Sequence, residues 1–94
     1  MNKAEAKEIL AQELIHLQAK SYKDLQKLIN SPDVIEVVGA SGVSYQIEVQ
    51  AFWDNPRESL GDLRIIASID DGRFLSALLP LSADFIMAFD GKVK

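Results

Sequence analysis

The clearest structural signal in this chain is the segment Val43-Ser-Tyr-Gln-Ile-Glu-Val-Gln-Ala-Phe-Trp53. Apolar and polar side chains alternate along it, so the two sets lie on opposite faces of a strand. Such alternation is typical of an antiparallel sheet that buries one face and offers the other to water or a partner. The apolar set is Val43, Tyr45, Ile47, Val49, Ala51 and Trp53, and the polar set is Ser44, Gln46, Glu48 and Gln50.

The segments on either side predict two more strands. Residues 34–38 are rich in β-branched side chains, and the Gly39–Gly42 segment after them has the length of a hairpin turn. Residues 62–69 alternate again, after a loop of proline, glycine and polar residues at 54–61. These short connections favour antiparallel pairing of neighbouring strands.

The C-terminal third carries less regular patterns. Residues 73–79 are apolar on both faces and predict a fourth strand, which starts after the Asp-Asp-Gly turn and ends at Pro80. Residues 82–85 favour one helical turn, and residues 85–89 favour a last short strand. The sheet is therefore expected to have four strands, or five if this tail joins it.

Two helices are predicted before the strands. Apolar residues recur at intervals of three and four within residues 3–19, Asn2 can cap this helix, and Glu5 stands where a capping box needs it. A second helix over residues 22–30 follows the N-cap Ser21 and stops before a proline.

The element order ααββββ predicts the α+β class, with one domain over residues 1–94. Both helices are expected on one face of the antiparallel sheet, the face that carries the apolar set of the central strand. The predicted core comprises Leu10, Leu14, Leu17, Leu25, Leu28, Tyr45, Ile47, Val49, Ile65, Ala67 and Ile69.

Composition excludes several classes of function. The 94 residues include no cysteine, which leaves no disulfide and no thiol nucleophile and fits a reducing compartment. No stretch approaches the ~18 apolar residues of a membrane span, and the charged start lacks the apolar run of a signal peptide. We therefore expect a cytoplasmic protein that does not associate with a membrane.

Charge is unevenly distributed along the chain. Residues 1–30 carry five lysines against four acidic residues, whereas residues 31–94 carry five basic residues against ten acidic ones. An acidic second half repels a polyphosphate backbone, so nucleic acid is not an expected partner. It favours a basic protein surface or a cation, although a modest net charge also serves solubility.

The sequence shows no recognised catalytic or metal-binding motif. His16 is the single histidine, and neither Gln12 nor Lys20, one helical turn away, offers it a carboxylate. The acidic residues of the 54–62 loop and of the turn at residues 70–71 lack the spacing of a calcium loop and are expected at opposite ends of the sheet. No cofactor and no metal are therefore expected.

The polar face of the central strands is the candidate binding surface. Phe52 projects from it beside a loop, and Ile66 on the neighbouring strand adds an aliphatic side chain. An apolar centre within a rim of amides and charges is typical of a modest protein interface. The alternative is that the 54–61 loop or the C-terminal tail covers both side chains within the monomer. The candidate partner-binding residues are Gln46, Glu48, Gln50, Phe52, Arg64 and Ile66.

Short motifs within residues 50–91 carry a resemblance that extends over nearly the whole chain. They are Gln50-Ala-Phe-Trp-Asp54, Gly61-Asp-Leu-Arg64, Ser68-Ile-Asp-Asp-Gly72, Pro80-Leu81, Asp84-Phe-Ile86 and Asp90-Gly91. Together they resemble a group of small uncharacterised bacterial proteins of about this length. That group often continues past Asp-Gly with an acidic end, whereas this chain ends in Lys92-Val-Lys94. The resemblance implies a bacterial cytosolic protein and carries over no functional residue.

Three classes of function are compatible with these patterns. The favoured one is a non-enzymatic protein-binding module, for which immunity proteins and antitoxins that neutralise a basic partner are an analogy in size and charge. The second is self-association into a homodimer through residues 85–89 or Ile15. The third is a small enzyme that uses a carboxylate with an arginine, drawn from Asp54, Asp62, Asp70, Arg64 and Arg73.

Overall fold

The computed structural model describes residues 2–58, 60–73 and 80–94. Helix α1 spans Lys3–Gln18, and α2 spans Tyr22–Gln26 and continues as a 3-10 turn over Lys27–Ile29. In the described residues the antiparallel sheet has the order β1-β2-β3-β4, which confirms the α+β class and the four-stranded antiparallel sheet. The strands are β1 at Asp33–Val38, β2 at Ser44–Trp53, β3 at Leu63–Asp70 and β4 at Leu81–Met87.

The last strand of the sheet differs from the prediction. Of the strand predicted at 73–79, Arg73 lies outside any strand and residues 74–79 lie outside the described residues. The helical turn predicted at 82–85 is wrong, because β4 runs through it with its side chains alternating between the two faces. Phe85 and Met87 are buried on the core face, as expected for a strand in which every second side chain points to the same side.

The short strand predicted at 85–89 belongs instead to the end of β4 and a reverse turn. Beyond Met87 the chain folds back, and Val93 forms an isolated bridge with Met87. The Lys94 N–H donates to the Ile86 carbonyl at 2.8 Å. The tail thus pairs with the end of β4 and does not form a regular fifth strand in the described residues.

Capping side chains start both helices. The Asn2 side chain accepts from the Glu5 N–H at 3.1 Å, and the Ser21 hydroxyl accepts from the Asp24 N–H at 3.1 Å. The predicted 22–30 helix is shorter than expected as an α-helix, because its last turn tightens to 3-10 before Pro32. In the described residues, no helix combines the length and the apolarity needed to cross a bilayer.

The core lies between the helices and one face of the sheet. Tyr45, Ile47 and Val49 are all buried there, as the alternation predicts. Helix α1 contacts β3 and β4, α2 contacts β3, and the 3-10 turn contacts β2. Leu14 and Leu28 are only partly buried against this core. Buried residues absent from the predicted core are Ala6, Ala51, Leu63, Phe85 and Met87.

Glu5 fastens the start of α1 to the β1–β2 turn. Its carboxylate accepts from the Ser41 N–H at 3.1 Å, the Ser41 hydroxyl at 2.6 Å and the Tyr45 hydroxyl at 2.8 Å, instead of closing a capping box. These hydrogen bonds lower the pKa of Glu5, while burial and then the bond to Glu5 raise the pKa of Tyr45. A Cβ at Gly39 would lie 2.3 Å from a Glu5 carboxylate oxygen, so a side chain at this position would force the carboxylate to shift.

Candidate functional site

The sheet face opposite the helices gathers the predicted binding residues, and we call it the open face. All six candidate partner-binding residues lie on it, because they share one parity on β2 and β3. Their role in binding remains a prediction. Its members are Val34, Glu36 and Val38 of β1, Ser44, Gln46, Glu48, Gln50 and Phe52 of β2, Arg64, Ile66, Ser68 and Asp70 of β3, and Ser82, Asp84 and Ile86 of β4.

Three apolar side chains lie near one another in the strand register at one end of the open face. Phe52 lies opposite Arg64, which in turn lies opposite Ile86, and Ile66 occupies the next row. Diagonal neighbours in adjacent strands are within reach of long and aromatic side chains. Phe52 is 48% exposed, so neither the 54–61 loop nor the tail covers it fully, whereas Ile66 and Ile86 are half-buried. We call Phe52, Ile66 and Ile86 the apolar patch.

Arg64 is held in place between two carboxylates beside this patch. Its Nε and Nη2 donate to Asp54 Oδ1 at 3.2 and 3.0 Å, and its Nη1 donates to Asp84 Oδ2. The hydrogen bonds to Asp84 and then to Asp54 raise the pKa of Arg64. Because a guanidinium presents its donors in a rigid fork, two partners on different elements leave it little rotational freedom.

The rest of the open face is acidic. Glu36, Glu48, Asp70 and Asp84 lie on it, and Arg64 is its single basic residue. The Gln50 amide donates to the Glu48 carboxylate two residues away on β2. The face therefore combines an excess of negative charge with an apolar patch at one end.

Three contributors to this site are absent from the candidate partner-binding residues: Asp54, which the sequence offered only as a carboxylate for an enzyme, and Asp84 and Ile86. A signal existed for the last two, since residues 81–87 alternate between apolar and polar side chains apart from Ile86 itself. Asp54 lies in a loop with no periodicity. It reaches Arg64 because the loop closes, with the Asp54 N–H donating to the Asp62 carbonyl at 2.9 Å.

The carboxylates considered for catalysis do not meet. Asp54 binds Arg64, whereas Asp62 accepts from the Lys94 ammonium at 2.6 Å, a contact that raises the pKa of Lys94. Asp70 lies at the other end of the sheet and accepts from the Gly72 N–H at 2.8 Å. His16 is exposed on α1, and no group of three potential metal ligands occurs in residues 2–58, 60–73 and 80–94. The described chain therefore assembles no acid–base or metal-ligand constellation.

The segments considered for self-association have separate environments. Phe85 and Met87 face the core, and the Phe89 ring lies 5.3 Å from that of Tyr22 in an edge-to-face pair. The Tyr22 hydroxyl in turn donates to the Gly61 carbonyl at 2.6 Å. Ile15 is 68% exposed on the outer side of α1.

No family model matches the sequence, and no curated protein or solved structure is significantly similar to it. The resemblance to small bacterial proteins therefore stays a prediction.

Proposed function

We propose that this chain is a non-enzymatic protein-binding module that docks a basic partner on the open face of its sheet. The observation that carries the proposal is the combination of a half-exposed phenylalanine, two isoleucines near it in the strand register and an excess of carboxylates on one face. A cytoplasmic setting and a bacterial source fit the absence of cysteine and the resemblance described above, and they belong to the same proposal.

The apolar patch would supply the centre of the interface. An aromatic side chain that remains 48% exposed can lose further contact with water when a partner covers it. Aromatic anchors surrounded by half-buried aliphatic side chains are frequent at the energetic centre of protein interfaces. Here Ile66 lies diagonal to Phe52 on the next strand, and Ile86 lies on the far side of Arg64 from it.

The charges would select the partner. Four carboxylates against one arginine repel an acidic surface and attract a basic one, with the largest effect on association rate and specificity. Arg64 is already paired with Asp54 and Asp84, so its positive charge does little to offset the attraction of this face for a basic surface. Neutralisation of a basic protein, as immunity proteins and antitoxins achieve it, is the activity that this surface supports best.

The test is affinity capture from the organism that encodes the chain, with a charge reversal on each side of the molecule. Glu48→Lys changes the open face, and Glu8→Lys makes the same change at an exposed position of α1. We expect a stoichiometric basic partner on the wild-type chain and on Glu8→Lys, but not on Glu48→Lys, with affinity that falls as salt rises. Absence of such a partner, or equal capture by both variants, would contradict the proposal.

A second candidate function is self-association through the edge strand β1. Val34 and Val38 are 61% and 68% exposed on this strand, which pairs only with β2 among the described strands. Edge strands without lysine or proline invite pairing with another chain. Light scattering tests this alternative, because a sharp 10.4 kDa species at micromolar concentration excludes it and a dimer abolished by Val34→Lys supports it.

A further inference from the structure

A cavity of about 400 Å³ lies on the helical side of the molecule, away from the open face. Its size falls within the range of small-molecule sites, which is roughly 300–1,000 Å³. Trp53, at the end of β2, forms its apolar wall together with Ile29 of the 3-10 turn. We call it the α2 cavity, and its described lining residues are Lys23, Gln26, Lys27, Ile29, Asn30 and Trp53.

The polar lining of the α2 cavity has one sign of charge. Lys23 and Lys27 contribute two ammonium groups, and no carboxylate occurs among the described lining residues. Lys27 forms an exposed ion pair with Asp24 at 3.6 Å, whereas Lys23 has no hydrogen-bond or ion-pair partner among the described residues. Such an exposed ion pair is weak in water, so both lysines can turn toward an anion.

The neutral groups of the α2 cavity complement the lysines. Gln26 and Asn30 add side-chain amides that both donate and accept hydrogen bonds. The Trp53 indole offers an aromatic surface, and aromatic rings favour offset-stacked or edge-to-face contacts with one another. The ligand that satisfies all these groups has a planar apolar body and a negatively charged end.

We propose that the α2 cavity is a binding site for a small aromatic carboxylate. The ring system contacts Trp53 and Ile29, and the carboxylate accepts charge-assisted hydrogen bonds from Lys23 and Lys27. This site is independent of the proposed protein interface, since it lies on the other side of the sheet and takes a ligand of opposite charge to the partner expected there.

The experiment uses naphthalene-2-carboxylate as the probe and naphthalene-2-carboxamide as its neutral match. Binding is followed by two-dimensional proton–nitrogen NMR of the isolated chain, in which the indole N–H signal is unique because Trp53 is the only tryptophan. The variant Lys23→Gln/Lys27→Gln removes both ammonium groups. Its control, Lys3→Gln/Lys7→Gln, removes the same charge from exposed positions of α1.

We expect saturable shifts of the Trp53 indole signal with a Kd of about 1 mM or tighter, as weak fragment binding would give. The double variant at Lys23 and Lys27 and the neutral amide should each bind about three- to tenfold more weakly, and the α1 control should bind like the wild type. Three results would overturn the proposal: no saturation, equal binding of carboxylate and amide, or shifts confined to the open face. Capture of a basic partner is unaffected by any of them, so the two proposals fail separately.

Discussion

Replacement of Phe52 by serine separates a binding anchor from a structural side chain. Full burial of a phenylalanine contributes roughly 1.5–3 kcal/mol, so the half of Phe52 that is buried contributes about 1 kcal/mol. The lower strand propensity of serine adds up to ~1 kcal/mol. We therefore expect Phe52→Ser to lower the free energy of unfolding by about 1–2 kcal/mol and the melting temperature by roughly 5–15 °C.

The assay is urea unfolding followed by circular dichroism and by Trp53 fluorescence, with partner affinity measured under native conditions. Ile15→Ser is the matched control, because Ile15 is 68% exposed on α1, away from the open face, and it should cost about 0.5–1 kcal/mol. Partner binding should weaken at least about tenfold in Phe52→Ser and remain near wild type in Ile15→Ser. A loss of more than ~3 kcal/mol in Phe52→Ser, without a further effect on binding, would refute the anchor argument.

Three further substitutions test the contacts and backbone geometry that determine the stability of the fold. Because the pKa of Glu5 is lowered, its contribution to stability is present above its ordinary pKa of 4.5 and is lost as the pH falls through the folded-state value. Glu5→Gln should therefore flatten the acid decline of the urea midpoint between about pH 6 and pH 3, and an unchanged slope would contradict this. Leu25→Ala should lower the free energy of unfolding in urea by about 2–4 kcal/mol, because Leu25 is fully buried and the five-residue helix α2 is too short to be stable without its contacts. A loss below ~1 kcal/mol would contradict this prediction. Leu60→Asn should raise the melting temperature by a few degrees, because Leu60 is 58% exposed and has a φ of 67°, a left-handed conformation that asparagine adopts more readily than leucine. A lower melting temperature would contradict this prediction.

The predicted face assignment depended only on local patterns. Alternation in β2 and β3 places Ile47 and Val49 in the core and Gln46 and Glu48 outside it, and the structure confirms this placement. The physical reason is that side chains of a strand point alternately to its two faces, so parity along the chain is enough to assign them. A helix start is equally local, which is why Asn2 and Ser21 could be named from the sequence as caps.

The end of the chain shows where local patterns stopped being sufficient. Residues 82–85 have a composition that suits a helical turn, yet pairing with β3 makes them part of a strand. Strand propensity depends on neighbours across the sheet more than on the segment itself. The same dependence makes Leu81–Met87 the last strand among the described residues.

The fold class, the two faces of β2 and β3 and the acidic character of the second half follow from the chain alone, because periodicity and charge are properties of neighbouring residues. Which distant groups meet depends on how the helices and the sheet pack. Arg64 forms hydrogen bonds with Asp54 and Asp84, ten and twenty positions away. Glu5 accepts hydrogen bonds from Ser41 and Tyr45, thirty-six and forty positions away. Lys23 and Trp53, thirty positions apart, likewise both line the α2 cavity. Contacts of this separation leave no periodic trace in the chain, since they arise from how its elements pack.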